Sequence, residues 1–151
     1  MATRYGLEIR AADSVDAPGV AELLQAAGQS AASTTSAVAG RLERLKAERA
    51  TILLAIAWGP PSGLVVFHAR QTLVADLPCA FVSTLVVGPD ARRRGIGRLL
   101  LKAAAQAARS AGCGELHMPV PVGAAELRAF CQATGFEEQD TGFVRPLRKR
   151  N

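Results

Sequence analysis

The chain has 151 residues, 49% of them hydrophobic and only 5% aromatic, with a formal net charge of +5. Such a length suits one domain, 1–151, with a core built from aliphatic side chains. The charge suits anionic partners, phosphorylated cofactors among them, and is too small to mark a nucleic-acid binder by itself.

Leu7 to Arg10 alternates and reads as a first strand. Asp13 and Ser14 are N-cap candidates for a helix running through Leu23 and Leu24 to Ala27, with Pro18 tolerated in its first turn. The small, polar stretch 28–37 reads as a loop, and Val38, Leu42 and Leu45 then recur at helical spacing. A strand is expected at 51–59, a turn at 60–63 and a returning strand at 64–74. Residues 80–87, AFVSTLVV, form a nearly all-apolar fourth strand, expected at the centre of a sheet. From Ile96 to Ala111, Leu99, Leu100, Ala103, Ala104, Ala107 and Ala108 make a helical stripe that Gly112 and Gly114 end. A fifth strand is expected at 115–120, a short helix at 123–135 and a last strand at 142–147.

The opening residues carry Glu8 and no apolar run of signal-peptide length, so a cytoplasmic setting is expected. Apolar runs such as Ile52 to Trp58 are too short to span a bilayer, and no membrane partner is expected. Cys79, Cys113 and Cys131 fit neither a disulfide framework nor a Cys-x-x-Cys metal site, and no metal is expected. A nucleic-acid partner is not expected either, for want of interleaved aromatics or a helix-turn-helix pattern. The basic tail, RKRN at 148–151, reads as a solvated end.

The chemistry concentrates in PDARRRGIGRLLLK, residues 89–102. Three arginines stand where a helix begins, and a helix N-terminus already carries partial positive charge. Gly95 and Gly97 lack Cβ atoms, so an anion can approach the main chain, whose N–H groups at residues 93–98 are expected to point at it. The arginines add bidentate donors for phosphate. A Walker loop requires Gly-Lys-Ser/Thr, whereas Gly97 is followed by Arg98 and Leu99. A dinucleotide fingerprint requires a third glycine where Leu100 stands.

Arg92-x-x-Gly95-x-Gly97 resembles the Arg/Gln-x-x-Gly-x-Gly/Ala motif of the GNAT N-acyltransferase superfamily, as does the whole segment STLVVGPDARRRGIGRLLLKAAAQAA. The segment LRAFCQATGF, 127–136, is similar to that family's FYxxxGF. The resemblance implies an α/β (α+β) fold. Its mixed central sheet of six to seven strands has helices on both faces and splays between the fourth and fifth predicted strands. It implies acetyl-CoA as cosubstrate, with the pantetheine arm along Leu85, Val86 and Val87. The pyrophosphate would lie on Arg92, Arg93, Arg94, Gly95, Ile96, Gly97 and Arg98. A primary amine of a small molecule or peptide would attack the thioester directly in a ternary complex. A homodimer belongs to the same expectation.

The sequence departs from that family in its catalytic half. Cys131 stands where a tyrosine proton donor is often found, and the only tyrosine is Tyr5. Gly123 and Ala124 replace a frequent asparagine, and Ser83 and Thr84 occupy the region of a glutamate base. Cys131 reads either as a substitute proton donor or as a buried thiol. His117 reads either as a relay for the amine proton, since histidine ordinarily titrates near neutrality, or as a strand residue satisfied by a neighbour. His68 has the same two readings, and Trp58 and Phe67 either line the acceptor pocket or pack the core. The alternative function is a non-catalytic acyl-CoA-binding regulatory module.

Overall fold

The computed structural model describes residues 2–4, 6–29, 34–139, 143 and 145–148. Residues 1–119 and 120–151 form two compact units.

In the first unit, Asp13 opens the helical region. Its carboxylate accepts from the Ser14 N–H at 2.7 Å, and the Asp16 carboxylate accepts from the Asp13 N–H at 2.7 Å. This reciprocal cap starts one 3-10 turn, Ser14–Asp16, that leads into α1, Ala17–Ala26. The next helix, α2, spans Thr35–Ala47 and begins earlier than its apolar spacing suggests, because Thr34 Oγ1 caps the Ala37 N–H at 3.2 Å.

Six strands follow one another across a single sheet: β1 (Ala2–Arg4), β2 (Leu7–Ala11), β3 (Thr51–Ile56), β4 (Gly63–Arg70), β5 (Cys79–Val87) and β6 (Glu115–His117). Neighbours from β1 to β5 are antiparallel, and β5 and β6 are parallel. The long helix α3, Ile96–Ser110, makes the crossover between that last pair.

Alternation along the strands divides the core in two. Ile52, Leu54, Leu64, Val66 and Val86 pack with Val20, Leu23, Val38 and Leu42 of α1 and α2. Ala55, Val65, Phe67, Ala80 and Val82 pack with Ile96, Leu100, Ala104 and Ala108 of α3. Covered on both faces, β4 and the end of β3 read as continuous apolar runs. The expected mixed sheet with helices on both faces is therefore present.

Several expected boundaries move. The strand expected at 51–59 ends at Ile56, and Trp58 is 89% exposed, so it does not pack the core. The strand expected at 64–74 ends at Arg70, because the Gln71 side-chain amide donates to the carbonyls of Thr72 and Ala75 and ties the chain into a loop. Leu73 and Val74, the apolar end of that expected strand, stand in solvent. The strand expected at 115–120 stops at His117, since Pro119 and Pro121 cannot donate to a ladder. β1 was not anticipated. Phe67 is core, as one of its two readings had it.

The second unit contains α4, Ala125–Ala133. Gly135 sits at φ 94°, and the Phe136 N–H reaches back to the Cys131 carbonyl at 3.0 Å. This is the left-handed helix exit that glycine makes possible, and it accounts physically for the Gly-Phe pair. The last expected strand, 142–147, falls partly outside the described residues. Phe143 and residues 145–147, which are described, belong to no strand. Tyr5, residues 30–33 of the 28–37 loop and 149–151 of the basic tail also lie outside the described residues.

Candidate active site

The site is built on the end of β5. Gly88 donates its N–H to the Ser62 carbonyl at 2.8 Å, anchoring the strand end to the β3–β4 turn. One 3-10 turn, Pro89–Ala91, follows, with Ala91 buried in the α3-side core. The chain then loops outward through Arg92, Arg93, Arg94 and Gly95, all exposed, and returns to the core at buried Ile96. Arg93 at φ 64° and Gly95 at φ 76° are both left-handed. For arginine that conformation is costly, and such strain tends to sit where function needs it.

These dihedrals leave a row of main-chain donors open. Among the described residues, none accepts a hydrogen bond from the N–H groups of residues 92–97. Gly95 caps α3 with no side-chain acceptor. The helix therefore presents free N–H groups, its positive dipole end and flanking guanidinium groups together. A phosphate-bearing ligand fits this arrangement. Arg92 Nε lies 3.5 Å from the Val87 carbonyl oxygen, too far for a strong bond, so its side chain is available to a ligand.

The position of α3 depends on Gly63 in β4. A Cβ there would lie 2.9 Å from Leu100 Cδ1, 3.1 Å from the Val86 carbonyl oxygen and 3.2 Å from Ile96 Cγ2. Only glycine lets the first turns of α3 rest this closely on β4 and β5.

The expected splay is visible in the ladder. β5 pairs with β6 only at Cys79–Glu115, Ala80–Leu116 and Phe81–His117. Beyond Phe81, β5 continues to Val87 with no second strand partner among the described residues. Leu85, Val86 and Val87 lie on this stretch. Within it, the partner of β4 steps from Val82 to Thr84 as β4 steps from Phe67 to Val66. Ser83 is thus the extra residue of a β-bulge, a feature that re-aims side chains beside functional sites.

His117 stands at the vertex, on the last paired position. Its ring stacks on Phe81, with centroids 4.8 Å apart, and its Nε2 lies 2.8 Å from Glu115 Oε2. Arg70 covers the same Phe81 ring, its guanidinium carbon 5.5 Å from the centroid. The Glu115 partner escaped the sequence reading, although the i, i+2 spacing on a strand puts both side chains on one face. His68, on β4 opposite Phe81, has Nε2 3.4 Å from Glu48 Oε2.

Cys131 belongs to the second unit, on α4. It is buried, and burial pushes its thiol above the ordinary 9.0. At neutral pH it is therefore a thiol rather than a thiolate.

The sequence pattern that defines the acetyltransferase (GNAT) family matches residues 18–136. No curated protein matches the chain by sequence. Among solved structures, a protein of Agrobacterium tumefaciens str. C58 assigned as a candidate acetyltransferase is 28% identical, with a TM-score of 0.83 over 92% of this chain and 99% of its own. AAC(6')-Iy bound to a bisubstrate analogue, CoA-S-monomethyl-acetylneamine, is 23% identical, with a TM-score of 0.79 over 94% of this chain and 98% of its own. Glucosamine-6-phosphate N-acetyltransferase of Arabidopsis thaliana is 16% identical, with a TM-score of 0.79 over 94% of this chain and 99% of its own. Among the described residues, no helix is long and apolar enough to cross a membrane.

Proposed function

Because the chain belongs to the acetyltransferase (GNAT) family, we propose that it moves the acetyl group of acetyl-CoA to the primary amine of a small molecule or peptide, within one domain spanning 1–151. The observation that carries this reading is the row of N–H groups at residues 92–97 without an acceptor among the described residues, beside a β5 edge with no strand partner among them beyond Phe81. That combination suits a ligand with a pyrophosphate at one end and an amide-rich arm at the other. The N–H groups, with Arg92, Arg93, Arg94 and Arg98, would hold the pyrophosphate, and the edge at Leu85, Val86 and Val87 would pair with the arm.

The amine attacks the thioester carbonyl directly. Its nitrogen must first be neutral, and His117, held by Glu115, is assigned to take the surplus proton. Collapse of the tetrahedral intermediate breaks the carbon–sulfur bond and expels the CoA thiolate. Cys131, protonated by virtue of its burial, is assigned to return a proton to that sulfur. Amino-sugar and aminoglycoside acceptors are the first classes to test, given the amine acceptors named for the similar structures.

Three free cysteines support a reducing, cytoplasmic setting. The exposed apolar side chains Leu73, Val74 and Leu77 on the loop between β4 and β5 support a homodimer, since another protein surface would take them out of water.

The test is release of free CoA from acetyl-CoA, without added Mg²⁺, against a panel of amines. Amine-dependent release is expected. The presence of Ser83 and Cys131, where the family often has glutamate and tyrosine, favours a second reading as a non-catalytic acyl-CoA-binding module. Tight acetyl-CoA binding without turnover on any amine would select it. Tight ATP–Mg²⁺ binding with no affinity for CoA would refute both.

A further inference from the structure

At the closed end of the β5–β6 pair, Cys79, Glu115 and His117 come together on one face of the sheet. Cys79 is the cross-strand partner of Glu115, and His117 follows Glu115 by two residues on the same strand. Their ligand-type atoms, one from each residue, all lie within 4.8 Å of one another. No sequence spacing announces this set, because strand register alone brings Cys79 to the other two.

We propose that Cys79, Glu115 and His117 form a site for a divalent cation of the zinc class. Thiolate, imidazole and carboxylate are the three donor types that zinc takes from proteins. Soft sulfur and imidazole nitrogen argue against Ca²⁺ and Mg²⁺, which prefer all-oxygen shells. A deprotonated cysteine, a carboxylate and a neutral histidine carry two negative charges, which balance one Zn²⁺.

The dimensions also fit. Zinc bonds of about 2.0–2.3 Å place tetrahedral ligands roughly 3.3–3.8 Å apart. The trio reaches this by a modest contraction through side-chain torsions, with Glu115 Oε2 moving off its 2.8 Å contact with His117 Nε2. Cys79 and His117 are part-buried, and Glu115 is exposed enough to turn freely. Phe81 stacks on the imidazole and limits its rotation. Three protein ligands on a partly open face leave a fourth position for water.

One consequence rests on the proton-relay reading of His117: an imidazole bound to zinc cannot take a proton, so Zn²⁺ would inhibit acetyl transfer reversibly. The binding itself does not depend on that reading.

The experiment is competition of the full chain, reduced and metal-free, with a chromophoric chelator for Zn²⁺, followed by Co²⁺ spectroscopy. One Zn²⁺ per chain is expected, with no comparable uptake of Ca²⁺ or Mg²⁺. Co²⁺ should show tetrahedral visible bands and a thiolate charge-transfer band that Cys79→Ser removes. Cys79→Ser and His117→Ala should each lose affinity by more than the roughly 10–100-fold that an outer-shell partner costs, while Cys113→Ser binds like the parent. Far-ultraviolet circular dichroism checks that each variant is folded. Absence of stoichiometric Zn²⁺ uptake, or uptake unchanged in folded Cys79→Ser and His117→Ala, overturns the proposal. Zn²⁺ binding without loss of acetyl transfer leaves the site standing and removes the proton-relay role of His117 instead.

Discussion

Gly63 on β4 and Leu100 on α3 approach so closely that a Cβ on the glycine would come within 2.9 Å of the leucine's Cδ1. The same Cβ would press on Ile96, the first residue of α3, and on the Val86 carbonyl of β5. Gly63→Ala should therefore cost about 1–3 kcal/mol in denaturant unfolding, the usual penalty for overpacking. Because Ile96 sets the start of α3, acetyl-CoA affinity should fall as well, measured by calorimetry on the folded fraction. A variant as stable as the parent would mean that the two elements yield without cost.

Gly95 and Gly112 make a controlled pair. Both are left-handed, at φ 76° and 85°, and a Cβ on either meets nothing within 4 Å. Replacing either by alanine should cost about 1–2 kcal/mol of stability through the backbone alone. Only Gly95→Ala should also weaken acetyl-CoA, because Gly95 lies among the unpaired donors whereas Gly112 lies past the far end of α3. Equal effects of the two substitutions on acetyl-CoA affinity would disconnect the arginine-glycine loop from cofactor binding.

Asp16 is gripped from two sides. Arg10 donates to both its oxygens, at 2.8 and 2.9 Å, and the Asp13 N–H donates at 2.7 Å. The Arg10 hydrogen bonds, helped by the Asp13 N–H, hold its carboxyl below the ordinary 3.8 despite partial burial. A carboxyl with a lowered folded-state pKa stabilises above its unfolded value, and that stabilisation disappears as pH falls through the folded one. Asp16→Asn should thus cost about 1–3 kcal/mol near neutral pH. The gap between parent and variant should close as the pH drops below the ordinary 3.8. Thermal unfolding across acidic pH reads this directly, and a gap independent of pH would point to the cap geometry rather than the charge.

The two proton-transfer residues should behave differently. CoA thiol is a fair leaving group, so Cys131→Ala is expected to lower kcat by about tenfold, or 1.4 kcal/mol in the barrier. His117→Ala should cost as much or more at neutral pH, and its deficit should shrink at high pH, where the amine is neutral without help. A loss of several orders of magnitude for Cys131→Ala, with acetyl-CoA affinity intact, would make the thiol the dedicated acid. A His117→Ala deficit that does not change with pH would remove the relay.

What the sequence made legible was local. Arg92, Gly95 and Gly97 stand within six residues of chain, and the apolar stripe of α3 begins beside them, so the loop and its helix could be read together. The splay was legible only through resemblance, although Pro119 and Pro121 already forbade a long ladder at β6. The cluster of Cys79, Glu115 and His117 was not legible. It depends on which residue of β5 faces which residue of β6, and no pattern within either segment specifies that register. Leu73 and Val74 misled because two apolar residues in a row say nothing of whether a partner strand continues beside them.

The uneven sheet has a kinetic side. Short connections join β3 to β4 and β4 to β5, whereas β6 reaches β5 only across the whole of α3, and then through three residue pairs. Closing that long connection costs chain entropy before any contact compensates it. The β3–β4–β5 meander is therefore expected to be the slowly exchanging part of the sheet, with β6 opening before it in hydrogen exchange. The wedge between β5 and β6 is held at its narrow end by three residue pairs alone, so a molecule that fills it would complete the fold as it binds.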